Sequence, residues 1–232
     1  MFSRLQNWFG NGWMGIADLL MTALCVFLSL SIRGFAQGFA AYKLGDNTAK
    51  LMGRLKLRPT SHLDPICAIF LLLFGFGWTR PVPFNPSNFT KVKVKYGMLI
   101  TALAGPLSNF IMAFAATLAM RILVAIFGNI ISVSEVVVKI VSVTITLFTI
   151  LASMNISLAV FHLIPIPPLD GSRVLAAILP PRIYFKLVQY ERYSFLILLV
   201  LIYMPFFDKI MYFLVNGIYG AFNWVLNLIP FL

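Results

Sequence analysis

The sequence is poor in charged residues, and acidic ones are the scarcest. Only 11% of the 232 residues are charged, and 18 Lys and Arg stand against 7 Asp and Glu, for a formal net charge of +11. Soluble domains carry about 25% charged residues, so the composition argues against a water-soluble globule. A basic chain could bind nucleic acid, but such proteins display a solvated basic face, whereas the apolar residues here form long uninterrupted runs. Nucleic acid is therefore not an expected partner.

Cysteine is also scarce, and the chain has no internal repeat and no low-complexity segment. The 2 cysteines, Cys25 and Cys67, both lie inside apolar stretches. We interpret them as free, buried thiols, which exclude a disulfide framework and say nothing about redox compartment.

Apolar residues make up 60% of the chain, and they occur in runs of membrane-spanning length, which is roughly 20 residues. Counting these runs predicts four to six membrane helices in an all-α polytopic membrane protein, a single membrane domain over 1–232. Its expected parts are a first core helix (13–42), a β or re-entrant segment at the membrane surface (43–96, with a short apolar run at 66–78), core helices (97–181) and C-terminal membrane segments (182–232).

The basic residues are concentrated in two stretches, 43–95 and 173–192, while the segment from Arg121 to Glu135 is nearly balanced. Basic loops face the cytoplasm, so we expect both stretches on that side of a bacterial inner membrane. Residues 54–58 and 91–96 alternate apolar and basic side chains, the period of a β-strand with two unlike faces. They predict a small β element lying on the lipid bilayer, with its basic face toward anionic headgroups.

Three stretches carry a resemblance to a known family. The first runs from Arg33-Gly-Phe-Ala-Gln37 through Leu-Gly-Asp46 to His62-Leu-Asp-Pro; the second is Ala-Gly-Pro-Leu-Ser-Asn109; the third is Asn155 to Gly171, with Pro-Pro-Leu-Asp170-Gly at its end. Together they resemble the site-2 proteases, intramembrane zinc metalloproteases, in their compact bacterial form. The likeness extends from about residue 31 to residue 181 and implies a site-2-protease-like core.

The resemblance implies a zinc site that this chain does not keep intact. In the family an HExxH motif supplies two zinc ligands and a general base, because residues i and i+4 share one helical face, and the metal activates a water molecule. The aspartate of the Pro-Pro-Leu-Asp-Gly element, here Asp170, is the third ligand. The positions that match His, Glu and His are Arg33, Gly34 and Gln37. None of these is a usual zinc ligand or base, so we expect a pseudoprotease with no zinc.

An arginine within a membrane helix requires a partner. If the family fold is kept, Arg33 and Asp170 approach the same point, and we expect the guanidinium to take the place of the cation in an ion pair. The alternative is that Arg33 extends to the interface, about ten residues before Lys43. Gly34 and Gly38 form a small-xxx-small pair, which favours a helix-packing face for this stretch.

A rebuilt zinc site from His62, His162 and Asp170 is the other alternative, since two imidazoles and a carboxylate suffice for zinc. The membrane-surface position of His62 argues against it, and His162 stands where the family pattern has an asparagine.

The remaining landmarks are expected to shape a substrate cleft. Asn155 and Asp170 resemble positions that shape the substrate cleft in the family, and Asn109 and Pro167 are expected to belong to the same cleft. For the two asparagines, bridging two helices is the preferred interpretation over bonding a substrate backbone. The leading expectation is non-catalytic binding of a transmembrane segment of a client protein. The alternative is an active intramembrane zinc metalloprotease with an unconventional ligand set.

Overall fold

The computed structural model describes residues 12–57, 82–128, 134–180 and 191–229. Within these ranges the chain is helical, with one 3-10 turn at Pro86–Asn88. The α-helices are α1 (Gly12–Lys43), α2 (Thr48–Leu51), α3 (Val94–Phe127), α4 (Glu135–His162), α5 (Asp170–Ile178), α6 (Glu191–Tyr203) and α7 (Pro205–Asn227).

Three of these helices, α1, α3 and α4, are long and apolar enough to cross a membrane, and α6 with α7 supplies a fourth span if the pair counts as one. A bilayer offers no water to backbone polar groups, so runs of this composition form helices that satisfy their own hydrogen bonds. The expected all-α polytopic fold is therefore confirmed. The short apolar run at 66–78 lies outside the described residues.

The last two helices do not continue each other. Leu196–Tyr203 and Pro205–Asn227 are bent by 80°, and Pro205 stands at the first position of α7. A proline lacks the N–H that a continuing helix needs but fits the first helical turn. The sequence therefore ends α6 and starts α7 at this residue.

The predicted β element is wrong for the part of 54–58 and 91–96 that the structure describes. The N–H of Arg54 bonds the carbonyl of Ala49 at 2.8 Å in a local turn. Lys93 precedes α3, and its carbonyl accepts the N–H of Gly97 at 3.0 Å as a helical bond. A strand requires a neighbouring ladder, and these backbone groups are used locally, so a short alternating pattern alone was insufficient evidence.

The three long helices pack side by side, α3 against both α1 and α4, and α5 rests on α3. Small residues permit this packing: Ala113 and Ala116 of α3 are buried between the helices. The main apolar cluster joins α1 to α4 through Cys25, a free thiol, and neighbours such as Leu158.

Opposite ends of the bundle are closed by different polar contacts. At the end where α3 finishes, Arg121 donates to Asn223 and Asn227 of α7. At the other end, α1 finishes and α3 begins, and Asp46 joins them by accepting from the N–H of Asn85 (2.7 Å) and the amide of Asn88 (2.9 Å). The second end also holds the C-terminus of α4 and the start of α5.

Candidate functional site

Arg33 and Gln37 lie one turn apart on the face of α1 that packs into the bundle. They are 2% and 3% exposed, although both are polar. Residues at i and i+4 are neighbours on a helix, so the two side chains extend toward the same region. The packing of this face continues at Gly38, where an added Cβ would lie 3.3 Å from the side chains of Ala49 and Leu55.

Asp170 reaches the same region because of the turn between α4 and α5. The helix α4 ends at His162, and the proline-rich residues 163–169 lead to Asp170, the first residue of α5. Gly171 fits closely under this turn: an added Cβ would lie 2.2 Å from the carbonyl oxygen of Leu163. The turn and the glycine together hold α5 against the end of α4. Pro167 is half-buried within that turn.

A single carboxylate oxygen joins the three side chains. Nη2 of Arg33 donates to Oδ2 of Asp170 in a buried ion pair, and Nε2 of Gln37 donates to the same oxygen at 2.8 Å. We call Arg33, Gln37 and Asp170 the buried triad. Arg33 therefore does not extend to the interface.

Gly105 of α3 provides the space that the triad occupies. A Cβ at this position would lie 2.8 Å from Nε2 of Gln37 and 3.2 Å from Oδ2 of Asp170. Thr101 and Asn109 stand one turn to either side of Gly105 on α3, and both are buried. The third helix thus closes over the triad with a glycine flanked by two polar residues.

Within the described part of the chain, several polar atoms around the triad are buried without a hydrogen-bond partner. They are Nε and Nη1 of Arg33, both amide atoms of Asn109, Oδ1 of Asn155, Oγ1 of Thr101 and Nε2 of His162. A buried polar group without a partner costs about 1–3 kcal/mol. The closed arrangement of the helices therefore leaves unused hydrogen-bonding capacity on α1, α3 and α4.

The two asparagines differ in their surroundings. Asn155 donates to Oγ of Ser29 at 2.8 Å and to the carbonyl of Leu151 at 2.8 Å, so it bridges α4 to α1 one turn before Arg33. Asn109 is fully buried and makes no such bond. Of the two, only Asn109 has its whole amide unused.

His162 is buried at the end of α4, with Nδ1 placed 2.8 Å from the carbonyl oxygen of Leu158. His62 lies outside the described residues. Among the residues that are described, no three His, Cys, Asp or Glu side chains come together in a way that could hold a metal ion.

The residues of the triad do not fit a zinc ion. Zinc takes lone-pair donors from Cys, His, Asp or Glu, and here Asp170 alone offers them. Oδ2 of Asp170 already accepts from a guanidinium and an amide, so N–H donors occupy the region where a metal would need ligands. No catalytic step through zinc follows from this geometry.

Fold and site together define a class: a polytopic α-helical membrane protein with a buried arginine–carboxylate pair between its long helices. The family model for peptidase family M50 matches residues 38–204, which begins immediately after the segment that holds Arg33 and Gln37. The chain belongs to this family, the site-2 proteases.

Curated relatives agree with this assignment. The chain is 36% identical over 194 residues to "Putative zinc metalloprotease YwhC" of Bacillus subtilis (strain 168), covering 84% of this chain and 85% of that protein. It is 26% identical over 207 residues to "Putative zinc metalloprotease Rip2" of Mycobacterium tuberculosis (strain H37Rv), covering 87% and 71%. No solved structure matches the chain.

Sequence reasoning did not identify every member of the site. It treated Gln37 only as a lost ligand, although its spacing from Arg33 places both on one face. Ser29 lies one turn before Arg33 on α1. The same spacing of four residues could have identified it as a member of this face. Nothing in the sequence alone indicates that Gly105 faces the carboxylate.

Proposed function

We propose that this chain is a non-catalytic member of the site-2 protease family that binds a transmembrane segment of another membrane protein. The observation that carries the proposal is the buried triad. Arg33 and Gln37 stand where the HExxH histidines are expected, and both donate to Asp170. A guanidinium neutralises the carboxylate, so the centre of the fold is stabilised without a metal.

Client binding is supported by the unused polar atoms beside the triad. A transmembrane segment with a locally unwound backbone offers N–H and carbonyl groups, and the amide of Asn109 can both donate and accept. In the structure these atoms are sealed from solvent. A client therefore reaches them only when α3 separates from α1 and α4.

We further propose that the end of the bundle carrying Lys43 faces the cytoplasm of a bacterial cell, because basic residues outnumber acidic ones there. A reporter that fluoresces only in the cytoplasm, inserted into the 128–134 connection at the opposite end of the bundle, would test this, and we expect no fluorescence there. Fluorescence from the 128–134 fusion would contradict the orientation.

Metal analysis of the purified full chain tests the non-catalytic assignment. We expect zinc well below one equivalent, unchanged by Asp170→Ala. Stoichiometric zinc that is lost in Asp170→Ala would overturn the proposal.

Binding is tested by reconstituting the protein with fluorescent single-span peptides and following energy transfer and peptide mass together. We expect binding without cleavage, and an affinity about 2- to 12-fold weaker in Asn109→Leu, since one hydrogen bond contributes about 0.5–1.5 kcal/mol. The matched control is Ile111→Leu, two residues along α3 on an exposed face. Equal affinity for both variants would remove Asn109 from the binding site.

A second candidate function is an active zinc metalloprotease with an unconventional ligand set. Both relatives carry the name "Putative zinc metalloprotease", and these names favour it. It requires chelator-sensitive cleavage of a membrane peptide, lost when His62 or His162 is replaced.

A further inference from the structure

Two segments that are distant in the sequence form one surface where α1 ends and α3 begins. The carbonyl of Leu44 accepts the N–H groups of Thr90 (3.1 Å) and Lys91 (3.4 Å). Gly45, with φ +113°, allows the approach, since an added Cβ would lie 2.4 Å from Oγ1 of Thr90. Because of these contacts, the residues after α1 and the residues before α3 are adjacent in space.

Six exposed lysines lie on these two segments. We call five of them, all except Lys56, the basic surface: Lys43, Lys50, Lys91, Lys93 and Lys95. Within the described residues 43–57 and 82–96 the only acidic residue is Asp46, and it is fully buried. Burial alone would raise its pKa, but hydrogen bonds from Thr48, Asn88 and Asn85 outweigh burial and lower the pKa of Asp46. The carboxylate of Asp46 is buried and already hydrogen-bonded within the protein. The basic surface therefore has no acidic neighbour on these segments that could neutralise it.

The position of the basic surface along α1 and α3 fits the depth of lipid headgroups. On α1 the exposed apolar side chain nearest the end is Phe39, four residues before Lys43. On α3 the exposed Val94 and Tyr96 flank Lys95, and the next exposed apolar side chain is Ile100, five residues after Lys95. At 1.5 Å per residue these separations are about 6–8 Å along the helix. A bilayer whose hydrocarbon reaches Phe39 and Ile100 would leave the ammonium groups just beyond it.

Exposed apolar side chains accompany the lysines. Leu51 is 84% exposed and Met52 is 63% exposed at the end of the short helix α2, next to Lys50, and Leu57 is 60% exposed. Apolar groups combined with lysines at a membrane boundary are typical of segments that lie in the interface. The ring of Tyr42, which receives Nζ of Lys50 at 4.9 Å from its centroid, adds an aromatic group of the kind enriched at this depth.

From this juxtaposition we infer that the basic surface binds the phosphate headgroups of anionic phospholipids in its own leaflet, with Leu51 and Met52 inserted beside the bound lipids. An acidic segment of another protein would match the charge equally well. It would not account for the apolar side chains beside the lysines or for the depth of the surface, and both features match a lipid. The assignment is independent of the proposed client binding.

The test uses the full chain, reconstituted into nanodiscs of equimolar phosphatidylglycerol and phosphatidylcholine and then released for native mass spectrometry. The measured quantity is the ratio of the two lipids that remain bound. Each lysine near an anionic surface contributes roughly a fivefold preference. We therefore expect Lys93→Gln/Lys95→Gln to lower the ratio by about 25-fold.

The matched control, Lys139→Gln/Lys209→Gln, removes two exposed lysines elsewhere and should keep the wild-type ratio. Asp46 and its bonds are untouched in both variants, and equal thermal melting establishes that both are folded. An equal ratio in the two double variants would overturn the inference. Loss of bound phosphatidylglycerol when inorganic phosphate alone is added would assign the surface to free phosphate instead. If the wild-type protein shows no preference for phosphatidylglycerol but binds an added acidic polypeptide, the basic surface would be assigned to a protein partner.

Discussion

Replacing Arg33 by methionine tests the central interaction of the molecule most directly. Methionine keeps the length of the aliphatic stem but removes the guanidinium, which leaves Asp170 without its cation. Arg33 is 2% exposed and Asp170 is 5% exposed, so water cannot replace the lost partner. The variant should therefore fold with a buried, uncompensated carboxylate.

The expected cost follows from that burial. Removing one member of a buried ion pair destabilises a protein by about 3–5 kcal/mol, far more than the ~0–1 kcal/mol of an exposed pair. Gln37 continues to donate to the carboxylate and offsets only part of the loss, since a hydrogen bond to a charged group contributes about 1.5–3 kcal/mol. For a chain of this length, 1 kcal/mol corresponds to about 2–4 °C in melting temperature, so we expect a decrease of roughly 6–20 °C.

The assay is thermal unfolding of the purified protein in one fixed detergent, followed by tryptophan fluorescence and by protease resistance. Three variants are compared with Arg33→Met: Gln37→Leu, Arg33→Met/Asp170→Leu, and the exposed control Lys139→Met. Gln37→Leu should cost less than Arg33→Met. The double variant should recover most of the loss, because replacing both partners by apolar side chains is often close to neutral.

Two results would refute the reasoning. One is an Arg33→Met variant with the same melting temperature as the Lys139→Met control, which would mean that the Arg33–Asp170 pair adds nothing to stability. The other is a double variant that is no more stable than Arg33→Met, since an uncompensated Asp170 would then not be the source of the cost.

Two further predictions concern a glycine and an acid. Gly105→Ala should lower stability by about 1–3 kcal/mol, because the added Cβ would lie 2.8 Å from Nε2 of Gln37; Gly217→Ala, with no atom within 4 Å, should raise it by about 0.5–1 kcal/mol. A loss at both positions in thermal melts would contradict this reasoning. Asp46→Asn should cost about 1–3 kcal/mol at neutral pH. The pKa of Asp46 is lowered in the folded protein, so its contribution is present above the unfolded value of about 3.9 and is lost as the pH falls through the folded pKa. Melting curves across this range should show the difference from wild type shrinking below about pH 4, and a constant difference would refute the assignment.

The helices were predictable from the sequence because a bilayer leaves little choice of backbone structure. Runs of apolar residues must form helices there, and the observed helix α1 (Gly12–Lys43) matches the expected 13–42. The β element was not predictable in the same way. Alternation over five residues fits either a strand or the start of a helix, and only a partner strand in space could decide between them.

The approach of Arg33 to Asp170 was expected from the cost of an arginine in a membrane helix and from the family resemblance. The surroundings of that pair were not accessible. Whether an asparagine meets Ser29 or stays without a partner depends on how α3 and α4 are rotated about their axes, which is decided by the packing of many small residues. Asn155 and Asn109 are the same residue type and are equally buried. For this reason, however, Asn155 has hydrogen-bond partners and Asn109 has none among the described residues.

The buried triad also limits how a metal site could be restored. A zinc site is built from groups that all direct lone pairs at one point. In the buried triad, two of the three side chains present donors instead of lone pairs, because Arg33 and Gln37 direct N–H groups at Asp170. Arg33→His alone would remove the cation that the carboxylate needs and still leave Gln37 donating to Oδ2, so the fold would lose stability before it gained enough ligands. Both positions have to change together, and this requirement keeps the arginine form separate from a metal-binding one.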